Sequence, residues 1–167
     1  EIGESWPDWS DRALLASVDA WLRPYLVGMT SMSDVAGLDL AMLLRSQLPW
    51  PEGARLDELA PARITLASGR DLTLDYVAAV AENTAPVVRV RVQDLFGTKV
   101  HPTAAGIPVI VQLLSPAGRP IQITRDIPGF WAGSWAEVRK EMAGRYPKHA
   151  WPTDPANAEP RQPKNRG

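Results

Sequence analysis

Apolar residues recur along the first third of the chain at helical spacing. Leu14, Val18, Trp21 and Tyr25 follow one another at intervals of four, three and four, which places them on one helical face. Ser10 is a good N-cap for that helix, and Asp11 puts an anion in the first turn, where the helix dipole favours one. Pro24 lies too deep for an uninterrupted helix, so the expected end is near Leu22 or Arg23. A second helix is expected over 38–48, closed by Pro49, and a short third over 51–60, opening on Pro51 and stopping before Pro61.

After Pro61 the period changes from about 3.6 to about 2. Ile64 and Leu66, then Leu72, Leu74 and Tyr76, alternate with polar residues on either side of Ser68-Gly69-Arg70, a hairpin pattern. Val88, Val90 and Val92 face inward in the next run, with Arg89 and Arg91 outward. "DLFG" reads as a turn or one helical turn, and residues 100–107 as a loop. "PVIVQLL" and "PIQITRD" flank "SPAGR" as a second hairpin with a longer loop. Ser134 and Glu137 have the spacing of a capping box, which predicts a helix from Trp135. Trp135, Val138 and Met142 line its inner face, Gly144 is a stop, and Pro147 makes the stop firm. Residues 152–167 have almost no apolar content and read as a disordered tail.

The expected fold class is α+β: N-terminal helices, then about five mostly antiparallel strands, then a C-terminal helix. An open sheet and an OB-like barrel both fit the strand pattern. The expected organisation is a helical segment 1–61, a sheet-plus-helix segment 62–151 and the tail 152–167.

Charge is small in total, −1, but unevenly spread. Residues 1–61 carry 4 basic and 10 acidic side chains, residues 62–116 carry 5 and 4, and residues 117–167 carry 9 and 5. A basic C-terminal end can meet an anionic partner, or the two ends can attract each other. No apolar run is long enough to span a membrane, and the start is acidic and polar, unlike a signal peptide. The chain opens on Glu1 rather than Met, which suggests a piece of something longer. It has no cysteine, which excludes thiolate metal sites and thiol nucleophiles and is compatible with a reducing cytoplasm.

Little in the sequence points to catalysis. There is no phosphate-binding Gly-rich loop, no dinucleotide fingerprint and no nucleophile elbow. His101 precedes a proline in a loop and His149 sits beyond the last helix, so both read as surface or packing histidines. Asp57 and Glu58 are adjacent on a helix and point to different faces. Trp21 and Trp135 sit on apolar helical faces and read as core. Trp6, Trp9, Trp131 and Trp151 lie just outside elements, where an indole either stacks on a base or pins a loop; pinning is the simpler use of so large an apolar ring. Arg139, Lys140 and Arg145 fall off the apolar face of the last helix. With Lys148, and with Arg119 and Arg125 from the neighbouring hairpin, they form a candidate phosphate-tracking set.

The blocks "DLFG", "LLSPAGRPIQIT", "GFW" and "EVRKEMAGRYPKHAWP", with "RLDELAP" and "WLRPYL" upstream, resemble the C-terminal domain of bacterial HrpB-type helicases, a DEAH-box group. The likeness runs over about residues 5–155; "TKVHPTAA" and the extreme tail depart from it. The resemblance implies a parent that is a cytoplasmic ATP-dependent helicase acting on nucleic acid, RNA above all, with ATP and Mg held in two motor domains. Their motifs are absent here, so no catalytic residue carries over and no cofactor is expected in this part. The implied partners are the motor domains of the same chain, single-stranded nucleic acid or RNA, and another protein. Two roles are open: a nucleic-acid contact made by the six basic residues, or a docking module.

Overall fold

The computed structural model describes residues 6–66, 68–82 and 84–160. The chain divides into two compact units, Glu1–Asp57 and Glu58–Gly167. The boundary falls a few residues before the Pro61 suggested by the change of period, inside a helix.

The first unit is helical. α1 (Asp11–Ala16) starts as expected, with the Ser10 hydroxyl accepting from the Ala13 N–H at 3.3 Å. The apolar stripe does not make one helix, however. The Ser17 hydroxyl donates to the Ala13 carbonyl at 2.8 Å, and the chain breaks there before α2 (Val18–Trp21). Pro24 then sits in a 3₁₀ turn, Arg23–Leu26. α3 (Met32–Ala36) has no counterpart in the sequence reading: it is too short to show a period. Its capping box is built by Ser31 and Asp34, whose carboxylate accepts from the Thr30 and Ser31 N–H groups, each at 3.0 Å. Those bonds hold the Asp34 pKa below its usual value. α4 (Leu40–Arg45) is capped by Asp39 and occupies the middle of the expected 38–48 helix. α5 (Trp50–Leu59) matches the expected third helix.

The second unit holds an open sheet with helices, not a barrel. β1 (Arg63–Thr65) and β2 (Asp71–Thr73) form the first expected hairpin, with Ile64 opposite Leu72. Gly69 turns it with φ 75°, which glycine adopts without penalty. α6 (Val77–Glu82) follows, again unanticipated. β3 (Val87–Arg91) buries Val88 and Val90 and leaves Arg89 and Arg91 outward, and its end runs into a 3₁₀ turn, Val92–Leu95, as "DLFG" suggested. The stretch read as a loop contains a miniature hairpin, β4 (Thr103–Ala104) and β5 (Ile107–Pro108), turned by Ala105 and Gly106, both with positive φ. β6 (Ile110–Leu114) and β7 (Pro120–Thr124) form the second expected hairpin, with a bulge at Leu113/Leu114.

The main sheet has the order β3-β6-β7. β6–β7 is antiparallel, but β3–β6 is parallel, with Val88 beside Val111 and Arg91 beside Leu114. The strand pairs are mostly antiparallel, as expected, and this pair is the exception. The long connection from β3 to β6 lets the chain cross over and return in the same direction.

Two helices cover the inner face. α7 (Ile127–Ala132) is capped by Asp126, whose side chain accepts from the Gly129 N–H at 2.9 Å. α8 (Trp135–Arg145) begins where the sequence placed it and runs one residue past Gly144. Its expected capping box does not form. Ser134 already has helical backbone angles, and its hydroxyl donates to Gln122 Oε1 at 3.3 Å instead. Ile127, Phe130, Trp131 and Trp135 pack with Val88, Val90, Val111 and Leu113 into a buried core, and Met142 is buried further along α8. Trp131 is thus a core residue of α7, not a loop residue, and its indole donates to the Thr98 carbonyl at 3.0 Å. Trp151 is a pin: it donates to the Tyr146 carbonyl at 2.9 Å and lies against Trp135. His101 is a packing histidine, with Nε2 on the Val109 carbonyl and Nδ1 accepting from the Ile127 N–H.

Residues 152–160 were expected to be disordered, yet they are tied to this core. The Pro152 carbonyl accepts from the Trp135 indole at 3.0 Å, and the Pro155 carbonyl from the Gly97 N–H at 2.9 Å. Residues 161–167 lie outside the described residues. Gly97 has φ 81°, and a Cβ there would stand 3.1 Å from the Ala158 carbonyl. Replacing Gly97 by alanine is expected to cost about 1–2 kcal/mol through strain and displacement of 155–158. Chemical denaturation followed by circular dichroism checks it.

Candidate nucleic-acid interface

All six basic residues singled out in the sequence lie in the second unit, and their surroundings differ. Arg119 is exposed at the end of the β6–β7 turn, which is tied by backbone bonds to Ser115. Its N–H donates to Ser115 Oγ at 3.1 Å, its carbonyl accepts from the Ser115 N–H at 2.8 Å, and Gly118 takes φ 78°. Arg125 is exposed at the far end of β7, six residues on, roughly 20 Å away along an extended strand. Lys140 is exposed on α8, but Arg139 is half-buried beside the Trp135–Met142 stripe, so it is not the fully outward residue that the helical wheel suggested. Arg145 is exposed and paired with Glu141 one turn earlier at 3.2 Å. Lys148 is exposed in the turn after α8, where the His149 N–H donates to the Tyr146 carbonyl.

One contact brings part of this set together. The Tyr146 hydroxyl lies 3.4 Å from Ser115 Oγ, so the end of α8 meets the β6–β7 turn. Arg119, Arg145 and Lys148 therefore belong to one neighbourhood. Arg125 stands at the opposite end of β7, and Arg139 and Lys140 sit further back along α8.

The structure adds a cation that the sequence reading did not select. Arg91 is exposed, and its Nε donates to the Pro116 carbonyl in the same β6–β7 turn at 3.1 Å. The outward alternation of Arg89 and Arg91 was the available signal. What hid the connection was the parallel β3–β6 register, which sets Arg91 beside Leu114, the last residue before the turn.

Arg91 also borders a cleft of about 770 Å³ between β2 and β3, lined among others by Arg70, Thr73, Asp75, Arg89 and Gly118. Four of its other charges are paired, Arg70 with buried Asp94 at 3.1 Å and Arg89 with Asp75 at 2.6 Å, while Asp71 accepts from the Thr65 hydroxyl at 2.7 Å. The Arg89 hydrogen bond, helped by the Val77 N–H, holds the Asp75 pKa below its usual value. These arginines are held in fixed positions, and their charge is largely offset locally.

Comparison with known proteins agrees with this fold. The family model described as ATP-dependent helicase C-terminal matches residues 21–155. The chain is 44% identical over 157 residues to the ATP-dependent RNA helicase HrpB of Escherichia coli strain K12, covering 93% of this chain and 19% of that protein. A crystal structure of the E. coli DExH-box NTPase HrpB superposes with a TM-score of 0.79 at 44% identity, over 93% of this chain and 19% of that one. A second, of the E. coli DEAH/RHA helicase HrpB, gives 0.64 at 40% identity, over 87% and 18%. The chain thus spans about a fifth of the length of the relatives it matches. It belongs to the HrpB-type ATP-dependent helicase C-terminal family.

Proposed function

We propose that this chain is the accessory C-terminal part of an ATP-dependent RNA helicase and that its first unit docks on the motor domains of its parent. ATP and Mg²⁺ would be held in those motor domains, because the phosphate-loop motif that would cradle them does not occur in this chain. The parent's role, unwinding or translocation on RNA in the cytoplasm, is part of the same reading.

The observation that carries the docking role is the poverty of the first unit's own core. Among its described residues only Leu43 and Leu48 are buried apolar side chains. Trp50, Val27 and Met32 are 83%, 86% and 80% exposed, and Leu15 and Met42 are also open to solvent. A unit of this size needs more burial than that to hold itself, and large exposed apolar surface marks an interaction site. Its charge points to the class of partner. Residues 1–57 hold 4 basic and 9 acidic side chains, which repels a polyanion and suits a protein surface with basic groups. Titrating the 167-residue chain into the parent's motor portion in a calorimeter tests this. Association is expected, with Trp50→Ala plus Val27→Asp weakening it by about tenfold or more, as for an interface anchor. No association, or association untouched by the double change, would refute docking through this unit.

A second reading, contact with RNA by the second unit, is favoured by a separate observation. Among the described residues Arg119, Arg125, Lys140 and Lys148 are exposed and engaged in no ion pair. Such binding would be weak and steeply salt-dependent, because it would consist of phosphate contacts.

A further inference from the structure

We infer that the phosphate-binding site of this domain is the β6–β7 turn, with Arg91 and Arg119 as its centre and Arg145 and Lys148 as its flank, rather than the length of α8. This rests on the RNA reading above and commits it to one place and one ligand chemistry, the phosphate backbone of a single strand.

Three structural elements bring cations to that turn, Arg91 from the sheet's outward face and the end of α8 from the face that the helices cover. β3 brings Arg91 through the parallel register with β6, and the Arg91 Nε bond to the Pro116 carbonyl holds its guanidinium over the turn. The turn itself carries Arg119, fixed by the two bonds to Ser115. α8 brings its C-terminal end, held by Tyr146 against Ser115, and with it Arg145 and Lys148.

Ser115 is buried and is the point where the turn and the helix end are joined. Among the described residues Arg91, Arg119 and Lys148 are in no ion pair. Of the nearby carboxylates, Asp94 is engaged with Arg70 and Asp75 with Arg89, Asp71 accepts from the Thr65 hydroxyl, and Glu141 pairs with Arg145 of the site itself. Only Arg145 would have to exchange a partner for a phosphate, and that partner is an exposed one, cheap to lose. A guanidinium whose Nε is already bonded still presents its terminal N–H groups, the geometry that suits phosphate oxygens. By contrast, Arg139 is half-buried and Arg125 lies at the far end of β7, so the six residues read from sequence do not make one surface.

The test is fluorescence anisotropy of a labelled single-stranded uridine oligomer with the 167-residue chain at about 50 mM salt. The pair Arg91→Glu and Arg119→Glu is expected to weaken binding by about tenfold or more and to flatten the salt dependence by about one to two log units per log unit of salt. Arg139→Glu with Lys140→Glu is expected to change it by less than about threefold, from distant charge alone.

Arg91→Lys, which keeps the charge but not the guanidinium, guards against a folding artefact: it should weaken binding by less than about threefold, well short of the Glu pair. Photocrosslinking of 4-thiouridine RNA to the unmodified chain adds a readout that needs no variant, with adducts expected in 115–119 and 145–149. If the unmodified chain does not bind, the RNA reading falls and this site with it. If it binds but the Arg91/Arg119 pair does not matter, or the α8 pair matters more, or adducts fall on 136–141, RNA binding stands and this location is wrong. If the Arg91/Arg119 pair leaves RNA binding intact but abolishes association with the motor portion, the turn is a protein contact and the inference is overturned.

Discussion

Replacing Trp135 by alanine is expected to destabilise the second unit by about 4 kcal/mol, within the usual range for removing a buried tryptophan. Trp135 is only 2% exposed. Its ring meets those of Trp131 at 5.3 Å, Phe96 at 5.8 Å, Phe130 at 6.0 Å and Trp151 at 6.1 Å, three of the four edge-on. Edge-on pairs add to plain burial, so the loss includes geometry as well as area. The indole N–H also holds the Pro152 carbonyl. Trp135→Phe separates the two parts, because it keeps most of the apolar volume and removes the donor; its expected cost is about 1–2 kcal/mol. Urea denaturation followed by circular dichroism measures both. If alanine cost less than about 1.5 kcal/mol, the aromatic cluster could not be the centre of the core.

The elements legible in the sequence are those whose signal is local. Ser10 with the residues after it, the alternation around Gly69, and the Val88-Val90-Val92 run each carry their period or cap within a few positions. α3, α6 and α7 span five or six residues each, too few for a helical period to stand out. Ser134 shows how a correct boundary can have the wrong cause. α8 does begin at Trp135, but only Gly133 and Ser134 separate it from α7, and the hydroxyl turns to Gln122. The direction of β3 relative to β6 is a property of the crossover between them, and no residue in either strand encodes it. That is why Arg91 was read as an outward strand residue and nothing more. The first unit illustrates the converse limit. Its apolar spacing was legible, but periodicity reports that a face is apolar and is silent on whether the same chain covers it. Trp21 is only half-buried, and Tyr25 is exposed.

Ending the chain at Trp151 is expected to destabilise the second unit by about 2–3 kcal/mol, whereas ending it at Pro160 should change little. The composition of "PTDPANAEP" argues the opposite, since it lacks any large apolar side chain. Its hold on the core comes from groups that composition does not register. Two backbone carbonyls, of Pro152 and Pro155, accept from the Trp135 indole and the Gly97 N–H. Pro155 is buried, and Ala156 and Ala158 pack against the aromatic cluster. Two hydrogen bonds contribute about 1 kcal/mol each, and covering the indoles adds a comparable amount. Against this stands the entropy of fixing the segment, which its three prolines reduce by restricting the unfolded chain as well. The expected net is a modest stabilisation, and thermal or urea melting of the two truncations reads it directly. Equal stability for both would mean that the ordering entropy cancels the contacts and that 152–160 contributes nothing to the core. A loss confined to the shorter chain would make the segment a strap, whose removal also loosens the Gly97 turn.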